Sequence, residues 1–273
     1  MKQIKIGLIG GGKAGTAVLE AFFRDDNFSV VCLVDARGDD CLAAKTVLKG
    51  RDVRIFSAIT DALSMANNID YFVDFSTAEA VWENAQIYIN SKTPFIMCAS
   101  GLNVKQKQEI ESRCRAQSIK GAIVPNASTL SVLGMYFDKI AAPFVRDIII
   151  SETHDVSKAD APSGTAYNTL VECARAKGYD GFDDKDFVLS GTSVKNSQFI
   201  RHLQSGIEVH AKRPQTEGVT TQVVELYSEG QRLTLEHIAY NRQCYKKGIE
   251  LAITYLEQHG GFLQGLEVAM GLA

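Results

Sequence analysis

Short apolar runs alternate with helix-like segments along the first half of the chain. The first run, Ile4 to Ile9, is followed by three glycines and then by apolar residues at helical spacing through Phe23. This order predicts a strand, a tight turn and a helix. Further runs predict strands at Ser29 to Val34, Arg54 to Phe56, Tyr71 to Phe75, Pro94 to Cys98 and Ala122 to Val124. Such alternation is typical of a parallel, doubly wound sheet.

The pattern changes after Pro125. A β-branched run at Asp147 to Ile150 predicts a buried strand, and Tyr167 to Lys177 predicts a helix closed by Gly178. Alternating segments predict a mixed or antiparallel sheet from Ile207 to Arg213, Thr220 to Ser228 and Gln231 to His237. A last helix is predicted at Gln243 to Gln258. We therefore expect an α/β chain with a first domain over 1–126, closed by a helix within 241–273, and an α+β domain over 127–240.

Composition narrows the class of protein. The 273 residues are 45% hydrophobic and 22% charged, as expected of a folded globular chain, and the net charge of -3 offers no general attraction to nucleic acid or an anionic membrane. No secretory signal pattern and no apolar run of roughly 20 residues is found, so a cytoplasmic location is expected. The 6 cysteines show no C-x-x-C spacing, which favours reduced thiols and predicts no metal.

A glycine motif follows the first predicted strand. The spacing G-x-G-x-x-G over residues 10–15 opens a predicted helix, and Asp35 ends the next strand roughly 20 residues later. Glycines there permit close approach of a pyrophosphate to the helix N-terminus, and Lys13 could add a phosphate contact. Asp35 suits the ribose hydroxyls of NADH, whereas Arg37 could pair with the 2′-phosphate of NADPH. The motif predicts a Rossmann-type domain but leaves the choice of cofactor open.

A second motif lies in the segment from Glu152 to Ala166, which we expect to form a loop between a strand and a helix. His154 and Lys158 precede a Pro-Ser-Gly-Thr helix start. Free backbone N–H groups at residues 163–165 would form an anion site, and Lys158 could add a positive charge. The alternative is that Ser163 or Thr165 only caps the helix while Lys158 is solvated. Because these features occur within about a dozen residues, we favour the anion site.

These motifs together make the chain resemble the 4-hydroxy-tetrahydrodipicolinate reductase (dihydrodipicolinate reductase) family of diaminopimelate and lysine biosynthesis. The most specific element is H-x-x-x-K-x-D-A-P-S-G-T-A over residues 154–166. Supporting elements are D-F-S at 74–76, P-N-x-S at 125–128 and G-x-R-L at 230–233. The resemblance implies a nicotinamide-dinucleotide domain, a substrate-binding and oligomerisation domain inserted before the final helix, and commonly a homotetramer.

The resemblance also implies a reaction and its residues. The family reduces a cyclic dicarboxylate with hydride from NADH or NADPH. The implied proton donor is His154, and Lys158 joins it as the second catalytic residue. The implied contacts to a substrate carboxylate are Ser163, Gly164 and Thr165. The predicted cofactor-binding residues are Gly10, Gly12, Lys13, Ala14, Gly15, Asp35, Arg37, Phe75, Ser76, Ala99, Ser100, Gly101 and Asn126.

Two positions depart from the commoner family pattern. Asp155 stands where many members have a second histidine, and Cys98 to Gly101 replaces a G-T-T-G loop. An aspartate beside a dianionic substrate would repel it unless it is turned away or neutralised. One alternative is therefore a related reductase of another cyclic or amino-acid-derived imine, whose amine Asp155 could contact. Another is a dinucleotide-binding module that has lost catalysis.

Several other side chains have open assignments. His210 and His237 alternate with apolar neighbours, so each could face a pocket or make a hydrogen bond within the sheet. Lys212 or Arg213 could reach a second substrate carboxylate, but only one of the two can face inward from an alternating strand. His202 lies among polar residues in the sequence and is assigned no role.

Overall fold

Two compact units make up the chain. The computed structural model describes residues 3–64, 69–156, 158, 160–191, 198–214 and 219–273. The first unit is Met1–Thr129 with Arg242–Ala273, and the second is Leu130–Asn241. The predicted boundaries fell after residues 126 and 240, whereas the units divide after residues 129 and 241. The roles assigned to the two domains, dinucleotide binding and substrate binding, stay predictions at this point.

The first unit begins with strands and helices in strict alternation. Its elements are β1 (Ile4–Ile9), α1 (Lys13–Phe22), β2 (Phe28–Val34), α2 (Leu42–Leu48), β3 (Arg54–Phe56), α3 (Ile59–Ala62), β4 (Tyr71–Asp74), α4 (Val81–Asn90), β5 (Phe95–Met97), α5 (Val104–Gln117) and β6 (Gly121–Ile123). These strands pair in parallel in the order β6-β5-β4-β1-β2-β3. The carboxyl ends of β1, β2 and β4 therefore lie side by side, and the loops that follow them form one edge of the sheet.

The second unit is built on a mixed sheet. Its elements are α6 (Thr129–Ala141), β7 (Asp147–Thr153), α7 (Gly164–Ala176), β8 (Phe187–Gly191), β9 (Gln198–His202), β10 (Glu208–Lys212), β11 (Thr220–Ser228) and β12 (Gln231–Ala239). The strand order is β12-β11-β7-β10-β9-β8, in which β7 and β10 are parallel and the other pairs antiparallel. A buried cluster that includes Ile148 and Ile150 of β7 packs against Leu170 and Cys173 of α7. Because side chains alternate along a strand, Glu152 lies on this same covered face.

The chain then returns to the first unit. α8 (Tyr245–His259) precedes β13 (Phe262–Gln264), which pairs in parallel with β6, and α9 (Leu266–Ala269) follows. Within the described residues the first sheet therefore has 7 strands. α8 packs closely on the chain before α6, since a Cβ atom at Gly248 would lie 2.1 Å from the carbonyl oxygen of Ala127.

The predicted fold class is confirmed, with local differences. β7 continues to Thr153, so Glu152 belongs to a strand and not to the predicted loop. α6 was not predicted. That helix buries the polar residues Ser131 and Asp138 together with Val132, while Leu130 and Phe137 are exposed, so its hydrophobic pattern departs from that of an ordinary amphipathic helix.

Candidate active site

The glycine motif forms a tight connection between β1 and α1. Gly10 has φ +93°, and a Cβ atom there would lie 2.5 Å from the carbonyl oxygen of Phe75. A Cβ at Gly15 would lie 1.9 Å from the carbonyl oxygen of Gly10. Only glycine fits at these two positions. Gly12 is the N-cap of α1, and a Cβ there would meet nothing within 4 Å, so the helix start is open to a ligand.

Asp35 joins this loop to an arginine. Its Oδ2 atom accepts a hydrogen bond from the Gly11 N–H at 2.7 Å. The guanidinium of Arg37 binds both carboxylate oxygens, with Nε 2.7 Å from Oδ1 and a terminal nitrogen 2.8 Å from Oδ2. This contact with Arg37 is the main reason that the pKa of Asp35 falls to about 2. The Arg37 side chain is 54% exposed, whereas that of Asp35 is 9% exposed.

A cavity of about 480 Å³ lies at the carboxyl ends of β1, β2 and β4. Of the predicted cofactor residues, it is lined by Gly10, Gly12, Asp35, Arg37, Phe75 and Ser76. Lys13, Ala14 and Gly15 belong to α1 beside it and do not line it. This cavity is also lined by Thr77, Ala80 and Asn84, which were not among the predicted cofactor-binding residues. Its position at strand ends is that of ligand sites in open α/β sheets.

A buried aspartate organises the neighbouring loops. Asp74 is fully buried, and its carboxylate accepts hydrogen bonds from the Ser76 N–H at 2.7 Å, the Tyr88 hydroxyl at 2.7 Å and the Asn84 amide at 3.0 Å. Its carbonyl oxygen accepts from the N–H groups of Cys98 and Ala99. The Asp74 side chain therefore shapes the 75–76 turn, and its main chain anchors the start of the 98–101 loop.

The remaining predicted cofactor residues follow β5 and β6. Ala99 is held on the Asp74 carbonyl oxygen, with the Ala99 nitrogen 3.1 Å away, and is followed by Ser100. Gly101 packs against Ala78. Asn126 lies in the turn after β6, where its side-chain oxygen accepts a hydrogen bond from the Ser128 N–H at 3.1 Å. The first three residues lie at the carboxyl end of β5, beside the loop that follows β4.

Glu152 is the centre of the second motif. It is buried at the end of β7, and its Oε1 atom accepts hydrogen bonds from the Ser163 N–H at 2.8 Å and from the Arg213 guanidinium at 3.0 Å. Its Oε2 atom lies 2.9 Å from Nδ1 of His154. Burial alone would raise the pKa of Glu152, but contacts with His154 and Ser163 lower it to about 2. The carboxylate is therefore ionised at neutral pH.

His154 follows β7 directly. Its N–H donates to the carbonyl oxygen of Lys212 at 3.1 Å, and its side chain is 19% exposed. Lys158 lies further along the same loop, where its ammonium nitrogen is 2.7 Å from Oδ1 of Asp160. This pair is partly exposed, so it is weak and leaves the lysine able to bind a ligand.

The start of α7 differs in one respect from the expectation. The Ser163 N–H is not free, because it donates to Glu152, and the Ser163 hydroxyl accepts from the Ala166 N–H at 3.2 Å as an N-cap. The expectation of three free N–H groups is thus wrong at Ser163. Gly164 is exposed and Thr165 half-buried, and neither N–H has an acceptor among the described residues. Two amides of the helix start are therefore available to an anion.

Arg213 is the inward-facing member of its pair with Lys212. Its side chain is fully buried and also donates to the carbonyl oxygens of Asp160 and Lys212. Because these acceptors and Glu152 hold the guanidinium, the expectation that Arg213 could reach a substrate carboxylate is not supported by this geometry. Lys212 is exposed.

Three of the other four histidines lie in the second unit, one of them structural and two at the sheet. His202 is fully buried, between the Ser205 hydroxyl at 2.8 Å and the Gly181 carbonyl oxygen at 2.7 Å. Its polar neighbours in the sequence therefore did not indicate this buried environment. His210 lies 3.3 Å from Oε2 of Glu208. His237 lines a second cavity with Asp138, and burial lowers the pKa of His237.

Comparison with known proteins now decides the family. The model of the dihydrodipicolinate reductase N-terminus matches residues 4–127, and that of its C-terminus matches residues 130–269. The chain belongs to the dihydrodipicolinate reductase family. The predicted family, the NAD(P)-binding Rossmann domain and the assignment as an NAD(P)H-dependent oxidoreductase are thereby confirmed.

Relatives of this reductase family match along its whole length. A 4-hydroxy-tetrahydrodipicolinate reductase of Dehalococcoides mccartyi is 28% identical over 100% of both chains, and one of Corynebacterium efficiens is 28% identical over 97% of each. The structure of a dipicolinate-bound dihydrodipicolinate reductase from Paenisporosarcina superposes with a TM-score of 0.75 at 24% identity, covering 97% of this chain and 98% of that one. This last likeness supports the fold.

Two further features are absent from the described residues. In the residues that the structure describes, no helix is long and apolar enough to span a membrane. The same residues contain no group of three or more histidine, cysteine, aspartate or glutamate side chains that could hold a metal ion.

Proposed function

We propose that this chain reduces 4-hydroxy-tetrahydrodipicolinate to tetrahydrodipicolinate with NADH or NADPH, in the pathway to diaminopimelate and lysine. The observation that carries the proposal is a histidine held against a buried carboxylate, on the loop that leads to a helix start with two available amides. The named activity of the curated relatives supports the choice of substrate.

The second unit supplies the contacts to a substrate carboxylate. Lys158 provides a full positive charge, and the N–H groups of Gly164 and Thr165 provide aligned donors at the N-terminus of α7. Ser163 keeps its hydroxyl proton for a further contact, since its oxygen accepts and does not donate in the N-cap bond. A charge-assisted hydrogen bond of this kind contributes about 1.5–3 kcal/mol.

His154 supplies the proton in this proposal. When bound, NADH or NADPH would supply the hydride. The ring would then need one proton to complete the reduction, and the hydroxyl would leave as water. The imidazole suits this role because it carries a transferable proton near neutral pH. The buried Glu152 carboxylate lies 2.9 Å from Nδ1 of this ring and orients it.

The first unit supplies the cofactor contacts. We assign the pyrophosphate to the start of α1, at Gly10, Gly12, Lys13, Ala14 and Gly15, and the adenosine ribose to Asp35 and Arg37. We assign the nicotinamide end to Phe75, Ser76, Ala99, Ser100, Gly101 and Asn126. The Arg37 side chain is exposed and can bind a 2′-phosphate. If Arg37 moves away from Asp35, the carboxylate can instead accept hydrogen bonds from the ribose hydroxyls. The pair is therefore compatible with both cofactors.

The family resemblance also leads us to propose a cytoplasmic homotetramer assembled through the sheets of the second units. Light scattering on the purified chain would test the assembly. A monomeric chain with full activity would contradict it.

The test of function is steady-state turnover of freshly generated substrate by His154→Ala and Lys158→Ala. We expect kcat to fall about 10²–10⁴-fold for His154→Ala, because a general acid is lost. Lys158→Ala should raise KM as well as lower kcat, because it binds a charged group. The matched controls in the same unit are His210→Ala, at a half-buried site, and Lys185→Ala, at an exposed one. Near-parental kinetics in both active-site variants would remove these residues from the chemistry.

A further inference from the structure

The carboxylate of Glu152 has one oxygen that is fully engaged and one that is not. Oε1 accepts from Arg213 and Ser163, whereas Oε2 has no hydrogen-bond partner among the described residues although it lies 2.9 Å from Nδ1 of His154. Nδ1 likewise lacks a hydrogen-bond partner there. Two buried polar atoms at this distance satisfy each other once the ring turns slightly, and each would be costly to leave unpaired.

We propose that Glu152 and Arg213 form a positioning pair that holds the proton of His154 Nδ1 and so presents the Nε2 proton to the substrate. The inference rests on the proposed function, since it assigns how His154 acts as an acid. Arg213 acts through Glu152: its fully buried guanidinium fixes Oε1, which leaves only Oε2 for the imidazole. With Nδ1–H donated to the carboxylate, the imidazolium carries its transferable proton on Nε2, and the neutral ring left after the transfer keeps its proton on Nδ1.

The charges around His154 leave Glu152 as the dominant partner. On the same loop Lys158 and Asp160 pair with each other, so their effects on the ring largely cancel. Asp155 is the adjacent residue, and Lys212 contributes its backbone carbonyl while its side chain is exposed. On β11 the residue opposite Thr153 is Thr221, which has no charge. Among the residues that the structure describes, the ion pair given for this ring is with Glu152, whose carboxylate is buried, where screening by water is weak.

The same carboxylate also sets the start of α7. Oε1 of Glu152 binds the Ser163 N–H, which immediately precedes the two amides assigned to the substrate carboxylate. One side chain therefore fixes both the proton donor and the anion-binding helix start. This arrangement maintains their spacing without either group being tied directly to the other.

The test compares Glu152→Gln with a matched control, Glu208→Gln. Glutamine keeps an oxygen for Arg213 and Ser163 but removes the charge opposite His154. Glu208 also lies between a histidine and an arginine, at 3.3 Å from His210 and 3.6 Å from Arg201, on the same sheet but partly exposed. The pH dependence of kcat/KM and the pH titration of the five imidazole rings by NMR are measured in both variants and the parent.

In Glu152→Gln we expect the alkaline limb of kcat/KM to move to lower pH by about one to three units, because a neighbouring anion no longer favours the protonated ring. The NMR titration of His154, identified by its loss in His154→Ala, should move in the same direction. Binding of dipicolinate, a planar dicarboxylate probe, should change less than threefold, since Lys158 and the α7 amides remain. Glu208→Gln should leave the limb, and the His154 titration, in place.

Comparison with His154→Ala distinguishes a failure of the proposed function from a failure of the positioning pair. If His154→Ala alone keeps its activity, the proposed function fails at His154, whatever Glu152 does. If His154→Ala loses activity but Glu152→Gln keeps both its alkaline limb and its His154 titration, the positioning pair is overturned. Adding Glu152→Gln to His154→Ala should cause no further loss in kcat. Should Glu152→Gln fail to fold, Glu152→Asp replaces it, with a retained charge, a retained alkaline limb and a reduced kcat as the expected result.

Discussion

Each unit holds a carboxylate that follows or ends a strand, accepts a loop N–H and pairs with an arginine. In the first unit Asp35 accepts from the Gly11 N–H at 2.7 Å and binds Arg37. In the second, Glu152 accepts from the Ser163 N–H at 2.8 Å and binds Arg213. Both carboxylates stand beside the loop that opens a helix. The same local chemistry therefore occurs at both of the ligand sites that we propose.

The two pairs differ in exposure. The Arg37 side chain is 54% exposed and lies two residues from its partner in the sequence. That of Arg213 is 0% exposed and lies 61 residues from its partner, directly after the neighbouring strand β10. An exposed guanidinium can exchange its carboxylate for a phosphate at little cost, but a buried one cannot leave without stranding a charge. The first pair can thus respond to a ligand, while the second holds fixed geometry.

Removing each arginine should give the largest contrast between the pairs. Arg213→Met leaves the buried Glu152 without its cation, so we expect the free energy of unfolding to fall by about 3–5 kcal/mol. Arg37→Met should change the free energy of unfolding by less than about 1 kcal/mol. Urea titration of both variants measures this difference. Similar losses in the two variants would mean that burial does not distinguish the pairs.

Cofactor preference should follow the exposed pair. We expect Arg37→Ala to weaken the binding of NADPH by about 1.5–3 kcal/mol and to leave the binding of NADH unchanged, because a charge-assisted phosphate contact is lost. Asp35→Ala should mainly weaken NADH, which uses the carboxylate for its ribose. Measured KM values for the two cofactors decide the outcome. Equal losses for both cofactors in each variant would contradict the assignment of the ribose site.

Asp138 shows what a buried carboxylate does without such a partner. Its Oδ1 atom has no hydrogen-bond partner among the described residues, and burial raises its pKa from 3.8 to about 7. Between those values the folded state keeps a proton that the unfolded state has released, so stability falls as pH rises through this window.

We therefore expect Asp138→Asn to stabilise the fold by about 1–3 kcal/mol above pH 7, and by much less near pH 4. Thermal unfolding across this pH range, with the exposed Asp147→Asn as control, measures the gain. A gain that is independent of pH would show that Asp138 does not titrate as stated.

The smallest expected effect is at Asp155. If the substrate is the dicarboxylate, Asp155→Asn should hold or slightly improve kcat/KM, because removing a negative charge does not oppose a dianion. If the substrate carries an amine near this position, the variant should lose about 1.5–3 kcal/mol of transition-state binding. A clear loss on the dicarboxylate, with unchanged stability, would favour the imine alternative.

Local spacing predicted the first pair better than the second. The glycines, Asp35 and Arg37 lie close together in the sequence, and Gly10, Gly12, Asp35 and Arg37 line one cavity. The partner of Glu152 is Arg213, 61 residues away, so no local pattern shows the contact. The sequence does contain a signal for the burial of Glu152. This residue continues the alternation of Ile148 and Ile150, which predicts that its side chain points inward.

The elements missed by the sequence analysis have physical causes of the same kind. α6 buries polar residues and exposes apolar ones, so hydrophobic periodicity alone does not reveal it. β13 has 3 residues and is stabilised by pairing with β6. The Ser163 N–H was expected to be free because its acceptor lies on β7, outside the loop motif.

The most direct test of the central claim is oxidation of NADH and NADPH by the unmodified chain with freshly generated 4-hydroxy-tetrahydrodipicolinate. We expect rapid oxidation with at least one cofactor, competitive inhibition by dipicolinate, and far slower oxidation with a cyclic imine that lacks the second carboxylate. Faster turnover of that imine, or no turnover of the dicarboxylate by folded protein, would contradict the account.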